Sequence, residues 1–184
     1  MRTGRLLTIA LLASLTLPPV AAAQAPIVVR ALVGRTGRVL ADTMGASFEV
    51  PASAARTFAG LDSIFGELNV PTPVRDPGVL QIGNLEYVKR GSFAGRRMSA
   101  WVDCGNSMSG TRADNYRIEL GLVAFVSPVG RESSIMRMAV IGTALDVGEA
   151  ARPTVACYTT GALERRLHEL LLKHLEGQGP GAGS

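Results

Sequence analysis

Few residues of this chain are suited to metal chemistry. The two histidines, His168 and His174, are six residues apart, whereas two ligands on one helical face must be three or four apart. Glu164 and His168 have a spacing that would let them share a cation, but a solvated surface pair explains them more simply. The sequence contains no phosphate-binding loop, dinucleotide-binding or calcium-loop motif. We therefore predict no metal ion and no cofactor.

A serine hydrolase is the second chemistry to consider. The segment from Gly105 to Gly110 contains Ser107 and looks like a nucleophile elbow, but that motif requires glycine at position 109, where this chain has serine. Carboxylates near this segment could act as general acid and base. They are Asp103, Asp114 and Glu119. Charged loop edges and exposed strand faces explain these acids more simply. We expect a protein that is not an enzyme, and a hydrolase is the least supported hypothesis.

Four basic residues lie close together in the middle of the chain. They are Lys89, Arg90, Arg96 and Arg97. We interpret them as part of a solvated loop, because charge runs usually serve solubility. The functional alternative is contact with an anionic lipid, a phosphate or a cell-surface polymer. The formal charge of +4, from 19 basic and 15 acidic residues, falls to +2 once Arg2 and Arg5 of the N-terminal signal described below are removed (19 − 2 = 17 basic residues). This near balance argues against nucleic acid as a partner.

Trp101, the single tryptophan, is a further candidate binding residue. In the strand predicted for this region, it shares a face with Ser99 and Asp103 and not with the apolar Met98 and Val102. We favour a ring covered by a helix, since a sheet clad on both sides has a second apolar face to fill. An exposed ring, available to bind a ligand, is the alternative.

The two cysteines, Cys104 and Cys157, allow one pairing. The export signal described next places them in a compartment where disulfides persist. We predict a structural bridge, which would stabilise the fold by about 4 kcal/mol in the chain-entropy description of a long closed loop. The C-x-x-C spacing typical of redox proteins is absent.

The N-terminal segment has the order of a secretory signal peptide. Arg2 and Arg5 supply a charged region, Leu6 to Leu17 is an apolar run, and small residues end at Ala25. The run is shorter than the roughly 20 residues that span a bilayer. No cysteine lies near the cleavage region, which argues against a lipid anchor there.

These features predict the organisation of the chain. We expect a signal peptide over residues 1–25, cleaved after Ala23 or Ala25, then one domain over 26–177 and a disordered tail over 178–184. The mature protein is expected in the periplasm or outside the cell, without a transmembrane span.

Hydrophobic periodicity predicts two amphipathic helices. The first covers residues 51–68, with Pro51 in its first turn. Its apolar stripe consists of Phe58, Leu61, Ile64, Phe65 and Leu68. The second covers residues 162 to about 176, with Thr160 as its cap and Gly177 at its end. Its stripe consists of Leu163, Leu167, Leu170, Leu171 and Leu175.

Alternating patterns predict the strands. The clearest is a long hairpin of residues 116–126 and 134–145, and further strands are expected at 27–33, 47–50, 79–82 and 97–104. Residues 83–96 and 105–110 are predicted to be loops. The expected fold class is α+β, an antiparallel sheet with both helices on one face and the bridge tying the entry of the last helix to the sheet.

Two segments carry a resemblance to known families. Val50-Pro51 entering an amphipathic helix, then Leu68-Asn-Val-Pro71 and Asp76-Pro-Gly78, resembles one unit of bacterial envelope lipoproteins of the Bam complex C-subunit type. That resemblance implies a helix-grip domain, although the lipid-attachment cysteine of those lipoproteins is missing. The second half, from Trp101-Val-Asp-Cys-Gly105 to Cys157-Tyr-Thr-Thr-Gly161, is similar to exported proteins of unknown role from Gram-negative bacteria.

These observations favour a non-enzymatic binding or accessory module of the cell envelope, with another envelope protein as a candidate partner. A carrier of a small apolar ligand is the alternative, because residues 120–126 and 135–141 are apolar on both faces. A cavity between helices and sheet would favour the carrier.

Overall fold

A seven-stranded antiparallel sheet forms the centre of the fold. The structure, a computed structural model, describes residues 28–33, 39–146, 148 and 154–178. The predicted signal peptide and nearly all of the predicted tail lie outside these residues. The α+β class is confirmed.

The elements are as follows. The strands are β1 (Val28–Val33), β2 (Val39–Met44), β3 (Ala46–Val50), β4 (Val74–Asp76), β5 (Gln81–Arg90), β6 (Ser92–Phe93), β7 (Arg96–Arg97), β8 (Val102–Asp103), β9 (Asn106–Ser107), β10 (Gly110–Thr111), β11 (Arg117–Pro128), β12 (Ser134–Leu145) and β13 (Thr154–Thr159). The helices are α1 (Ala54–Glu67), the one-turn α2 (Arg112–Asn115) and α3 (Ala162–Gly177), and a 3-10 turn covers Met98–Ala100.

The predicted long hairpin is confirmed as β11 and β12. The two strands pair without interruption from Arg117 opposite Leu145 to Pro128 opposite Ser134. The other edge of β11 pairs with β5, and the other edge of β12 pairs with both β3 and β13. β4 and β8 are the outermost strands.

Both long helices pack on one face of this sheet, as predicted. The stripe residues Leu61, Ile64, Leu163, Leu167 and Leu171 are buried in one core together with the inward residues of β11 and β12. α1 also contacts α3. A buried hydrogen bond of 2.8 Å between the hydroxyls of Thr57 and Ser134 fixes α1 to the sheet.

The helix starts differ in detail from the prediction. α1 begins at Ala54 and not at Pro51, because the Ser53 hydroxyl accepts a hydrogen bond from the Arg56 N–H and so caps the helix. Gly161, with φ of 75°, is the cap residue of α3, and the Thr160 hydroxyl accepts from the Ala162 N–H at 3.3 Å.

The prediction of a loop over residues 83–96 is wrong. β5 occupies most of this segment, and β6 and β7 form a short hairpin after β5. The pairing of β5 with β11 shifts register between Leu120 and Leu122, so a bulge interrupts the strand alternation that a sequence pattern detects. Gly83 is required at its place, since a Cβ there would overlap the carbonyl oxygen of Leu122.

The strand predicted for residues 97–104 is also wrong. The 3-10 turn interrupts it, and β8 contains two residues only. The Asp114 carboxylate accepts from the N–H and the hydroxyl of Ser99, both at 2.9 Å, and so holds the turn. Residues 105–110 form the small β9–β10 hairpin instead of a loop, and α2, which holds Asp114, was not predicted.

The disulfide between Cys104 and Cys157 is confirmed, at a sequence separation of 53. Both cysteines are buried. As expected, the bridge ties the segment before α3 to the end of β8, next to the pairing of Tyr158 with Asp103.

The β1–β2 hairpin forms a separate two-stranded sheet and lies against β5, β11 and β12. The buried residues Val123, Ala139 and Ile141 lie on the sheet face that points away from the helices. The central strands are therefore covered on both faces, which explains why residues of both faces of β11 and β12 are apolar.

Candidate functional site

A cleft of about 530 Å³ separates the β6–β7 hairpin from the first turns of α3. Gly95, Arg96 and Trp101 line one wall, and Arg165, Arg166 and Glu169 line the other. We call this space the arginine cleft. It brings together two segments that are far apart in the sequence.

Trp101 is the base of the first wall. The residue is 1% exposed, and its indole N–H donates to the carbonyl oxygen of Phe93 at 2.8 Å. The guanidinium of Arg96 lies 5.7 Å from the ring centroid, a distance typical of cation–π contact. The ring is therefore covered rather than exposed, and Arg96 lies over its face.

Several short contacts hold the two walls together. The Thr160 N–H donates to the Trp101 carbonyl at 3.0 Å, and the Thr160 hydroxyl donates to the Ala100 carbonyl at 2.8 Å. Thr160 directly precedes Gly161, the cap of α3, and the Cys104–Cys157 bridge closes the same junction. These contacts hold the Ala100–Trp101 segment next to the start of α3.

The cleft carries a surplus of positive charge. Arg166 pairs with Glu169 at 3.4 Å. Within the described part of the chain, neither Arg96 nor Arg165 has an ion-pair partner within 4.0 Å. Guanidinium groups donate in a planar fork that matches carboxylate and phosphate oxygens. The arrangement can therefore bind an anion.

Of the four basic residues predicted as a group, only Arg96 lines the cleft. Lys89 and Arg90 lie on β5, and the Lys89 ammonium is 5.1 Å from the Tyr87 ring centroid. The positive charge of Arg97 lowers the pKa of the Asp114 carboxyl group. The sequence reasoning missed Arg165 and Arg166. Their adjacent charges beside the leucine stripe of α3 were the available signal.

Asp114, Asp103 and Ser107, which were considered as hydrolase residues, form hydrogen bonds that stabilise the turns around them. Burial alone would raise the pKa of Asp114, but hydrogen bonds from Ser99 and Thr111 and the charge of Arg97 hold that pKa below its ordinary value. Asp103 accepts from the Gly105 N–H at 2.8 Å, as in a turn. The Ser107 hydroxyl donates to the Gly110 carbonyl at 3.0 Å, across the hairpin turn.

The Glu164 and His168 pair considered for a cation does not form. The Glu164 side chain turns inward, where it is 2% exposed and accepts from the Thr159 hydroxyl at 2.7 Å. The ring of His168 stacks on Phe48 at 4.7 Å between centroids. Among the described residues, no three acidic, histidine or cysteine side chains could together hold a metal ion.

A second pocket of about 450 Å³ lies at the opposite, hairpin end of the sheet. Val50, Pro51 and Val129 give it an apolar wall, and Ser133 and Ser134 complete it. It lies at the rim of the fold. The residues of β11 and β12 that face the helices, among them Leu120, Leu122, Met136 and Met138, belong to the buried core.

Comparison with protein-family models, with curated proteins and with solved structures found no match for this chain. None of the helices among the described residues is long and apolar enough to cross a membrane.

Proposed function

We propose that this chain is a non-enzymatic binding module of the bacterial cell envelope and that it binds an anionic ligand in the arginine cleft. One observation carries the proposal: Arg96 and Arg165 line one cleft from two distant segments of the chain, and neither has an acidic partner within 4.0 Å among the described residues. Arg96, Arg165 and Arg166 outnumber Glu169, the acidic residue of the cleft lining. Because like charges placed close together cost stability, their convergence favours a function.

The envelope location rests on sequence features. The N-terminal segment has the pattern of an export signal, and a disulfide suits an oxidising compartment. The resemblance to Bam complex C-subunit-type units, which carry a helix on an antiparallel sheet, agrees with the same location.

Binding without catalysis is supported by the surroundings of the candidate catalytic groups. Asp114 is stabilised as a carboxylate, whereas a general acid working near neutral pH needs a raised pKa. Ser107 bonds to a hairpin carbonyl and to Ser109, its neighbour across the turn.

The test is calorimetric titration of the mature protein with inorganic phosphate at low salt. We expect saturable binding that Arg96→Gln and Arg165→Gln each weaken by about tenfold or more, since each removes a charge-assisted hydrogen bond worth about 1.5–3 kcal/mol. Arg131→Gln, an exposed arginine of the β11–β12 turn, is the matched control and should bind like the wild type. Equal losses in all three variants, or no binding by the wild type, would overturn the proposal.

The second pocket favours a second candidate function, the carriage of a small apolar molecule. Its apolar wall of Val50, Pro51 and Val129 is the observation in favour. Titration with a fluorescent apolar probe would test it. Binding that Val129→Asp abolishes and Arg165→Gln leaves intact would support this candidate, and no saturable binding would exclude it.

A further inference from the structure

The two halves of the arginine cleft differ in chemistry. Arg96 and Arg165 present guanidinium groups that have no ion-pair partner among the described residues. Arg166 and Glu169 form an ion pair, in which the Glu169 side chain remains 65% exposed. The half with Arg96 and Arg165 is therefore cationic, and the half with Arg166 and Glu169 offers both hydrogen-bond donors and hydrogen-bond acceptors.

A bare anion uses only the cationic half. An ionised carboxylate accepts hydrogen bonds and donates none, so Glu169 repels an anion but suits the hydroxyl groups of a neutral portion of the same ligand. A volume of about 530 Å³ lies within the range of pockets that enclose whole small molecules. A single phosphate ion would leave most of this space to water.

The residues that line the cleft also determine how polar its ligand must be. Gly95 and Ala162 leave room beside the arginines, and Trp101 is covered by Arg96. A Cβ added at Gly95 would meet no atom within 4 Å, which shows that this side of the cleft is open. Charged and small residues dominate the walls, so the cleft favours a hydrophilic ligand over an acyl chain.

We propose that the ligand is a hydroxyl-rich saccharide unit that carries a phosphate group. This inference rests on the proposed function. The phosphate lies between Arg96 and Arg165, whose two positive charges match the charge of −1.5 to −2 on a phosphate monoester at neutral pH. The sugar hydroxyls donate to Glu169 and accept from Arg166. The same group is presented by a free sugar phosphate and by a phosphorylated sugar headgroup on a lipid.

The experiment compares four probes by calorimetry: inorganic phosphate, glucose, glucose 6-phosphate, and vesicles of phosphatidylcholine containing phosphatidylinositol 4-phosphate. We expect glucose 6-phosphate to bind at least tenfold more tightly than inorganic phosphate, and glucose alone to give no measurable heat. Glu169→Gln should remove most of this preference while leaving phosphate binding equal or stronger. Glu176→Gln, an exposed glutamate of α3 that is absent from the cleft lining, is the matched control.

The outcomes separate the two proposals. Equal affinity for phosphate and for glucose 6-phosphate overturns the saccharide assignment and leaves anion binding standing, as does a preference that Glu169→Gln does not change. No binding of any phosphate probe overturns the proposed function itself. Tighter binding to the vesicles than to glucose 6-phosphate, lost in Arg165→Gln, supports the assignment and identifies the lipid-borne source.

Discussion

Glu164 shows how a single side chain can couple this fold to pH. Burial raises the pKa of its carboxyl group, and the hydrogen bond from Thr159, a backbone hydrogen bond and the charge of Arg165 oppose that effect only in part. Its second oxygen, Oε2, is buried and has no hydrogen-bond partner among the described residues. The folded state therefore prefers the protonated form more than the unfolded chain does.

The raised pKa of Glu164 determines how the stability of the fold changes with pH. A carboxyl whose pKa is raised by folding stabilises the protein below its ordinary pKa, and this contribution is lost as the pH rises through the raised value. We predict that Glu164→Gln is more stable than the wild type at neutral pH, because the neutral amide avoids the cost of burying an ionised carboxylate. The difference should shrink below about pH 4, where the carboxyl is protonated in both states.

Urea unfolding at neutral and acid pH measures this difference. Glu176→Gln, exposed on the same helix, should show no such pH-dependent gain. A Glu164→Gln variant that is less stable than the wild type at neutral pH would mean that the ionised carboxylate is well satisfied in the folded protein.

The elements divide into those that local sequence determines and those that depend on distant contacts. The β11–β12 hairpin, α1 and α3 were predictable because each is long and has an unbroken apolar period. β5 was not, because its bulge and Gly83 respond to the neighbouring β11. The 3-10 turn depends on hydrogen bonds from Ser99 to Asp114, fifteen residues away, which no local pattern reveals.

The packing of α3 gives a prediction at this scale. Leu167 is 1% exposed within the core formed by the two helices and the sheet. We expect Leu167→Ala to destabilise the protein by about 2–5 kcal/mol, the range for emptying a buried leucine site. Lys173→Ala, at an exposed position of the same helix, is the matched control and should change stability little.

Thermal and urea unfolding would compare the two variants. Unchanged melting of Leu167→Ala would show that α3 is a detachable arm rather than part of the core. Deleting residues 161–184 should correspondingly prevent folding.

The disulfide gives a second prediction for the elements. Its closed loop spans a sequence separation of 53, so replacing both Cys104 and Cys157 by serine should lower the free energy of unfolding by about 4 kcal/mol. Reduction of the wild type with a dithiol should reproduce the effect. If the double variant unfolded at the same urea concentration as the oxidised wild type, the prediction would be wrong.

At the scale of the whole molecule, the candidate site exists because the fold joins distant segments. The cleft needs the β6–β7 hairpin and the first turns of α3 side by side, held by Thr160 and the bridge. Sequence analysis could identify Arg96 within a basic group and could predict α3. Sequence analysis could not predict that Arg96 and Arg165 line the same cleft. Their proximity follows from the antiparallel contact of β8 with β13, which no local pattern reveals.

Anion binding in this cleft can be measured by amide NMR shifts of the ¹⁵N-labelled protein during titration with inorganic phosphate. We predict saturable shifts concentrated at Gly95, Arg96, Ala162 and Arg165, together with the indole N–H of Trp101. Arg165→Gln should move the midpoint of these shifts to a phosphate concentration at least about tenfold higher, and Arg131→Gln should leave the midpoint unchanged. Shifts centred on Val50 and Ser134, or weak unsaturable shifts spread over all exposed basic residues, would contradict the account.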